Sequence, residues 1–141
     1  MNNINWENLE RKEEKIEFTI EEIEFNYKPT TESEMFEYYH EYMESYQTKK
    51  LNKQTGQEEE ITKKRANPLK LFKVKLRNLE CQVPKNIIKQ WLKLNEEIEF
   101  TKLSPENKYK ILGKIDKVGF LDKLVSKVQS IDEPDEEVKK K

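Results

Sequence analysis

Alternation of apolar residues between Lys15 and Tyr27 is the strongest constraint on how this chain can fold. In Lys15-Ile16-Glu17-Phe18-Thr19-Ile20 every second residue is apolar, and Ile23-Glu24-Phe25-Asn26-Tyr27 repeats the pattern with its phase shifted by one. A period of two marks a half-buried strand, so two short strands are expected, with Glu21-Glu22 as their turn. Neither glutamate is a favoured left-handed turn former, which works against tight closure. Closed as a hairpin, Ile16, Phe18, Ile20, Ile23, Phe25 and Tyr27 would share one buried face. Pro29 ends the second strand.

The rest of the chain reads as helix and loop. Thr31-Glu32-Ser33-Glu34 fits a capping box, and Met35, Tyr39, Tyr42 and Tyr46, joined by Phe36 and Met43, follow at helical spacing. The spacing predicts a helix over Thr31–Lys49, its other face carrying Glu37, Glu41 and Glu44. Residues 51–67 hold Gly56, three glutamates in a row and Lys63-Lys64-Arg65 with little apolar relief, so a flexible loop is expected there. Asn67-Pro68 then caps a helix through Leu69, Phe72, Leu76 and Leu79, although Phe72-Lys73-Val74-Lys75-Leu76 also alternates and leaves an edge strand open. Pro84 opens a helix with Ile87, Ile88, Trp91 and Leu92. Ser104-Pro105-Glu106 opens another with Tyr109, Leu112 and Ile115. Gly113 and Gly119 bracket a break before the last stripe, Phe120, Leu121, Leu124, Val125, Val128 and Ile131. The expected fold is therefore α+β: a mostly helical single domain over residues 15–133 with an N-terminal hairpin. A segment at 1–14 precedes it and a charged tail at 134–141 follows.

Composition narrows the function classes. The chain has 141 residues, 34% of them hydrophobic and 39% charged, and no apolar run approaches the ~18 residues of a spanning helix. The N-terminus lacks the blocks of a signal peptide, so a cytoplasmic location is expected and no membrane partner. One histidine, His40, and one cysteine, Cys81, leave too few soft ligands for a transition-metal site and no visible nucleophile with its base. Glu37 and His40 match a Glu-x-x-His pair, but the second pair such a site needs is missing. Three glycines supply no phosphate-cradling loop. No enzyme activity, cofactor or metal is expected. Glu34, Glu37, Glu41 and Glu44 read as a solvated helix face, and the aromatic cluster of Phe36, Tyr38, Tyr39, Tyr42 and Tyr46 reads as packing surface in an acidic neighbourhood.

Charge is laid out in blocks. Residues 1–47 hold 13 acidic and 4 basic side chains, residues 48–95 hold 4 and 13, and residues 96–141 hold 11 and 10. Such separation can serve pairing between the protein's own halves, association between copies, or capture of an anion. Lys63, Lys64, Arg65, Lys70, Lys73 and Arg77 are the candidate anion contacts, for a nucleic acid as the alternative partner. Pairing with the acidic third is the preferred account.

The stretch Val83-Pro84-Lys85-Asn86-Ile87-Ile88, then Trp91, Phe100, Leu103-Ser104-Pro105-Glu106-Asn107-Lys108-Tyr109-Lys110-Ile111-Leu112 and a closing helix to Ile131 resembles small proteins of tailed-phage structural operons. That group includes tail assembly chaperones and baseplate-hub assembly factors. The resemblance implies a non-enzymatic factor that binds another phage protein, such as the apolar tape-measure protein, or a small tail or baseplate component, in the host cytoplasm or in the particle. It brings no catalytic residue with it. Met35, Tyr39, Tyr42, Tyr46, Trp91, Phe120 and Leu124 are the candidate protein-interface residues, because the helical stripes hold more bulky side chains than a core of this size absorbs.

Overall fold

A computed structural model describes residues 3–9 and 14–133. The expected hairpin is present, as β1 (Ile16–Ile20) and β2 (Ile23–Tyr27), and their antiparallel register sets Phe18 opposite Phe25 and Ile16 opposite Tyr27. The Phe18 and Phe25 rings stack at 5.4 Å between centroids. Glu21 and Glu22 do close the turn, both in the left-handed region at φ 50° and 68°. That is the geometry a two-residue hairpin with right-handed twist demands. A third strand, β3 (Leu79–Cys81), pairs antiparallel with β2 on its free side, Leu79 facing Tyr27 and Cys81 facing Phe25.

Helices cover one face of this sheet. They are α1 (Pro68–Lys75), α2 (Lys85–Leu92), α3 (Pro105–Gly113) and α4 (Phe120–Asp132), with single 3₁₀ turns at Leu76–Asn78 and Phe100–Lys102. Tyr27, Leu79, Ile88, Ile111, Leu112 and Leu124 are fully enclosed in the resulting core, and Phe25, Phe100 and Phe120 are almost so. Helix makes up 46% and strand 24% of the described chain, a mixed α+β single domain. The segment from Pro68 to Lys75 is α-helical and Leu76 opens a 3₁₀ turn, in place of the edge strand its alternation left open: Asn67 accepts a hydrogen bond from the Lys70 N–H, with Pro68 at the first position.

Two expectations need correction. The helix over Thr31–Lys49 is instead two short pieces, Glu32–Glu37 and Tyr39–Tyr42, followed by an extended strand, Met43–Leu51. The flexible loop at 51–67 is largely the partner of that strand, Glu58–Ala66, and together they form a separate two-stranded ribbon with Met43 opposite Ala66 and Leu51 opposite Glu58. The capping box at Thr31 and Glu34 is real, each bonding the other's N–H at 3.1 Å, but it starts a helix that lasts six residues. Tyr46, Thr48, Ile61 and Thr62 are strand formers, and pairing gives their backbones partners that no local pattern could announce. Leu79, expected on the helix from Pro68, lies on β3 for the same reason. The expected charged tail at 134–141 lies outside the described residues.

Polar groups buried in the core are matched. Lys108, 2% exposed, donates to the carbonyls of Leu76 at 2.9 Å and Leu79 at 3.0 Å, tying α3 to the turn that leads into β3. Asp132, at the end of α4, accepts from Tyr27 Oη at 2.6 Å and the Thr30 N–H at 2.9 Å, and pairs with the buried Lys75 ammonium at 3.3 Å.

Candidate protein-binding groove

The sequence folds its apolar remainder into a groove beside the sheet. Pro84 ends the extended run after β3 and starts α2, on which Ile87, Ile88, Trp91 and Leu92 recur at one-turn spacing. Ile88 enters the core, which leaves Ile87 and Trp91 half-buried on the flank. Lys93, in the left-handed conformation at φ 56°, stops the helix. Ile23, Val83, Pro84, Ile87, Trp91 and Ile115 line a groove of about 490 Å³, and Glu22 and Glu24 are its only charged lining residues. Such a volume lies in the range of sites that take a small ligand or a few side chains of a partner. Trp91 was legible in the sequence as an interface candidate. The other walls were not, because the groove joins β2 to α2 and the end of α3, three elements distant in the chain.

The remaining interface candidates divide. Met35, Tyr39 and Tyr46 are half-buried, and Tyr42 is 8% exposed, its hydroxyl donating to the Met35 carbonyl at 3.2 Å. Phe120 and Leu124, at 2% and 0% exposure, belong to the core, because α4 packs its apolar stripe onto the sheet and the neighbouring helices. Neither reaches the surface that an interface residue needs. Phe36, by contrast, is 80% exposed.

Three of the six candidate cations of the basic belt, Arg65, Lys73 and Arg77, are answered from within. Lys70, Lys73 and Arg77 do share one face of the first long helix and its 3₁₀ extension, where they line a cleft of about 250 Å³ with Glu41, Ser104 and Glu106. Lys73 bridges Glu106 at 2.9 Å, and Arg77 bridges Glu41 at 2.8 Å while its guanidinium lies 4.0 Å from the Tyr38 ring centroid. Lys63, Lys64 and Arg65 stand on the ribbon strand Glu58–Ala66, not in a loop. Arg65 bridges Glu44 at 3.3 Å and covers the Tyr46 ring at 4.6 Å. A hydrogen bond from the Asn67 amide, then the Arg65 cation, hold the Glu44 carboxyl below its usual range against mild desolvation. Glu34 is also held low: partial burial opposes, but bonds from the Thr31 N–H and Asn78 outweigh it. Three of the four glutamates read as a solvated face are thus engaged, although Glu41, like Glu37, stands exposed.

His40 is exposed with its ring edge against Tyr39, whereas Cys81 is buried on β3, where burial raises its thiol pKa to about 11. The structure does not join them in a nucleophile and base pair. Among the described residues no group of three His, Cys, Asp or Glu side chains is arranged to hold a metal ion, and no helix is long and apolar enough to cross a membrane. Compared with protein-family models, curated proteins and solved structures, the chain matches none.

Proposed function

We propose that the protein is a non-enzymatic binding factor that holds an apolar, basic-flanked helix of a partner protein in the Trp91 groove. The observation that carries this reading is the groove itself: an apolar floor built from Ile23, Val83, Ile87, Trp91 and Ile115, with Glu22 and Glu24 at the rim. An amphipathic helix meets such a surface through residues one turn apart, and a lysine or arginine beside them would pair with the rim. Resemblance of the segment from Val83 to Ile131 to small tailed-phage proteins supports placing this activity in the assembly of a phage tail or phage-like particle, with a tail or tape-measure protein as the partner.

The test uses Trp91 as its own reporter in a Trp6→Phe background. A synthetic amphipathic peptide with leucines at helical spacing and flanking lysines should shift Trp91 emission to the blue, and Ile87→Asp should abolish the shift. Glu22→Lys with Glu24→Lys should weaken it. Co-expression with tail and tape-measure proteins of the same genome should yield a complex that Ile87→Asp disrupts. An unshifted Trp91 and no captured tail protein would overturn the reading.

A further inference from the structure

Independently of the groove, the ribbon carries a second surface. Its strand Glu58–Ala66 pairs on one edge with Met43–Leu51, and among the described residues no strand covers the other edge. Eight of its nine residues are exposed, only Ile61 being half-buried. The ladder begins with the Asn67 N–H on the Tyr42 carbonyl and ends with the Asn52 N–H on the Gln57 carbonyl, both at 2.8 Å. Antiparallel bonding alternates along a strand, so Glu59, Ile61, Lys63 and Arg65 spend their main-chain groups on the inner partner. Glu58, Glu60, Thr62 and Lys64 turn theirs outward.

The order of charges on this edge is self-complementary. Three glutamates, Glu58 to Glu60, precede Ile61-Thr62, and three cations, Lys63 to Arg65, follow. We infer that a second copy of this chain adds its own Glu58–Ala66 strand to this edge, antiparallel about a twofold axis at Ile61, to give a continuous four-stranded sheet. In that register Glu59 faces Lys63 of the partner subunit, Glu58 faces Lys64 of the partner subunit, and the two Ile61 side chains meet at the axis. Opposite charges directly across a strand pair attract, and like charges repel. Parallel pairing in register would set glutamate on glutamate and lysine on lysine, so the charge order selects one orientation. Lys63 and Lys64 make no ion pair among the described residues, the Lys64 ammonium lying 5.9 Å from the Tyr39 ring centroid, whereas Arg65 stays on Glu44. On the acidic side Glu58 faces Lys49 of its own ribbon at 3.7 Å and Glu59 accepts from the Asn52 amide at 2.7 Å, both exposed contacts that a partner strand can share. Edge strands that avoid partners are usually very short, bulged, covered, or studded with lysine or other charges that repel an incoming strand. Repulsion is what the charge order removes here, since each charge meets its opposite in the antiparallel register. This edge is nine residues long and carries both signs in mirror order. A nucleic acid fits it poorly, because the three glutamates stand where phosphates would run.

Sedimentation of the full chain across salt concentrations tests the pairing. A dimer is expected at low salt, its dissociation constant rising about tenfold from roughly 0.1 to 1 M salt as the screening length falls from ~10 to ~3 Å. The Glu58→Lys/Glu59→Lys variant and the Lys63→Glu/Lys64→Glu variant should each be monomeric, and mixing them should restore a one-to-one heterodimer. Thr62→Pro, which removes an outward N–H and leaves the inner ladder intact, should also yield a monomer, with circular dichroism confirming the fold. A wild-type monomer at every salt concentration, or charge-reversed variants that stay monomeric when mixed, would overturn the proposal. So would a dimer that survives Thr62→Pro and both reversals, or one that forms only on added nucleic acid.

Discussion

Glu22 stands at φ 68° in the turn of the first hairpin, where a residue with a Cβ is strained by about 1 kcal/mol relative to glycine. Glu21 in the same turn is held by an ion pair with Lys123, which pulls its carboxyl below the usual range, so it should be kept. Glu22→Gly is therefore expected to stabilise the protein by about 1 kcal/mol, read as a higher urea midpoint with unchanged slope. Lys108 presents the opposite case. Burial lowers its pKa from 10.5, with the distant Glu80 charge only partly opposing. Lys108→Met strands the carbonyls of Leu76 and Leu79 and should cost about 2 kcal/mol at pH 7. The pH dependence has a definite sign: between the lowered folded pKa and 10.5 the unfolded chain binds the extra proton, so stability rises with pH through that window. Urea midpoints for wild type against Lys108→Met from pH 7 to 10.5 should show the gap widen. Asp132→Asn removes the charge facing the buried Lys75 and should cost about 3 kcal/mol or more, visible as a lowered melting temperature.

Among elements, the ribbon shows where local pattern misleads. Met35, Tyr39, Tyr42 and Tyr46 recur at helical spacing, yet the helix stops at Tyr42 and Met43 is extended at ψ 140°. Aromatic and β-branched residues suit either state at this length, and the strand wins because Glu58–Ala66 supplies a ladder that runs from Leu51 opposite Glu58 to Met43 opposite Ala66. The one local signal was Gly56, left-handed at φ 72° in the tip, between two stretches that can both extend. Gly56→Ala should cost about 1 kcal/mol through backbone strain alone, since no atom lies within 4 Å of the added methyl position. Amide hydrogen exchange should quicken across the ribbon while β1 to β3 keep their protection. The hairpin at the N-terminus, by contrast, was legible because alternation and turn length agree with each other there, and only its unusual turn residues argued against it.

At the scale of the whole molecule, opposite charges from distant parts of the chain meet. Glu41 reaches Arg77, Glu44 reaches Arg65 and Lys73 reaches Glu106. Glu21, Glu34 and Glu44 all have carboxyl pKa values below 4.5 in the fold. Their contribution is present in full above the unfolded value and is lost as pH falls through the folded ones, so stability should drop from pH 5 to pH 3. Urea titrations in that range check this, and high salt should shrink the part of the drop owed to the Glu21–Lys123 and Glu44–Arg65 pairs, which lie near the surface. The sequence by itself determined the hairpin, the helix starts at Asn67, Pro84 and Ser104, and the α+β class, since each follows from spacing and capping within a short window. Only tertiary structure decided that 43–66 is a ribbon, that Phe120 and Leu124 are core, and that Ile23, Val83, Trp91 and Ile115 share one groove. Strand pairing, burial and grooves depend on which distant residues come together, and that choice is made by the free energy of the whole packed chain.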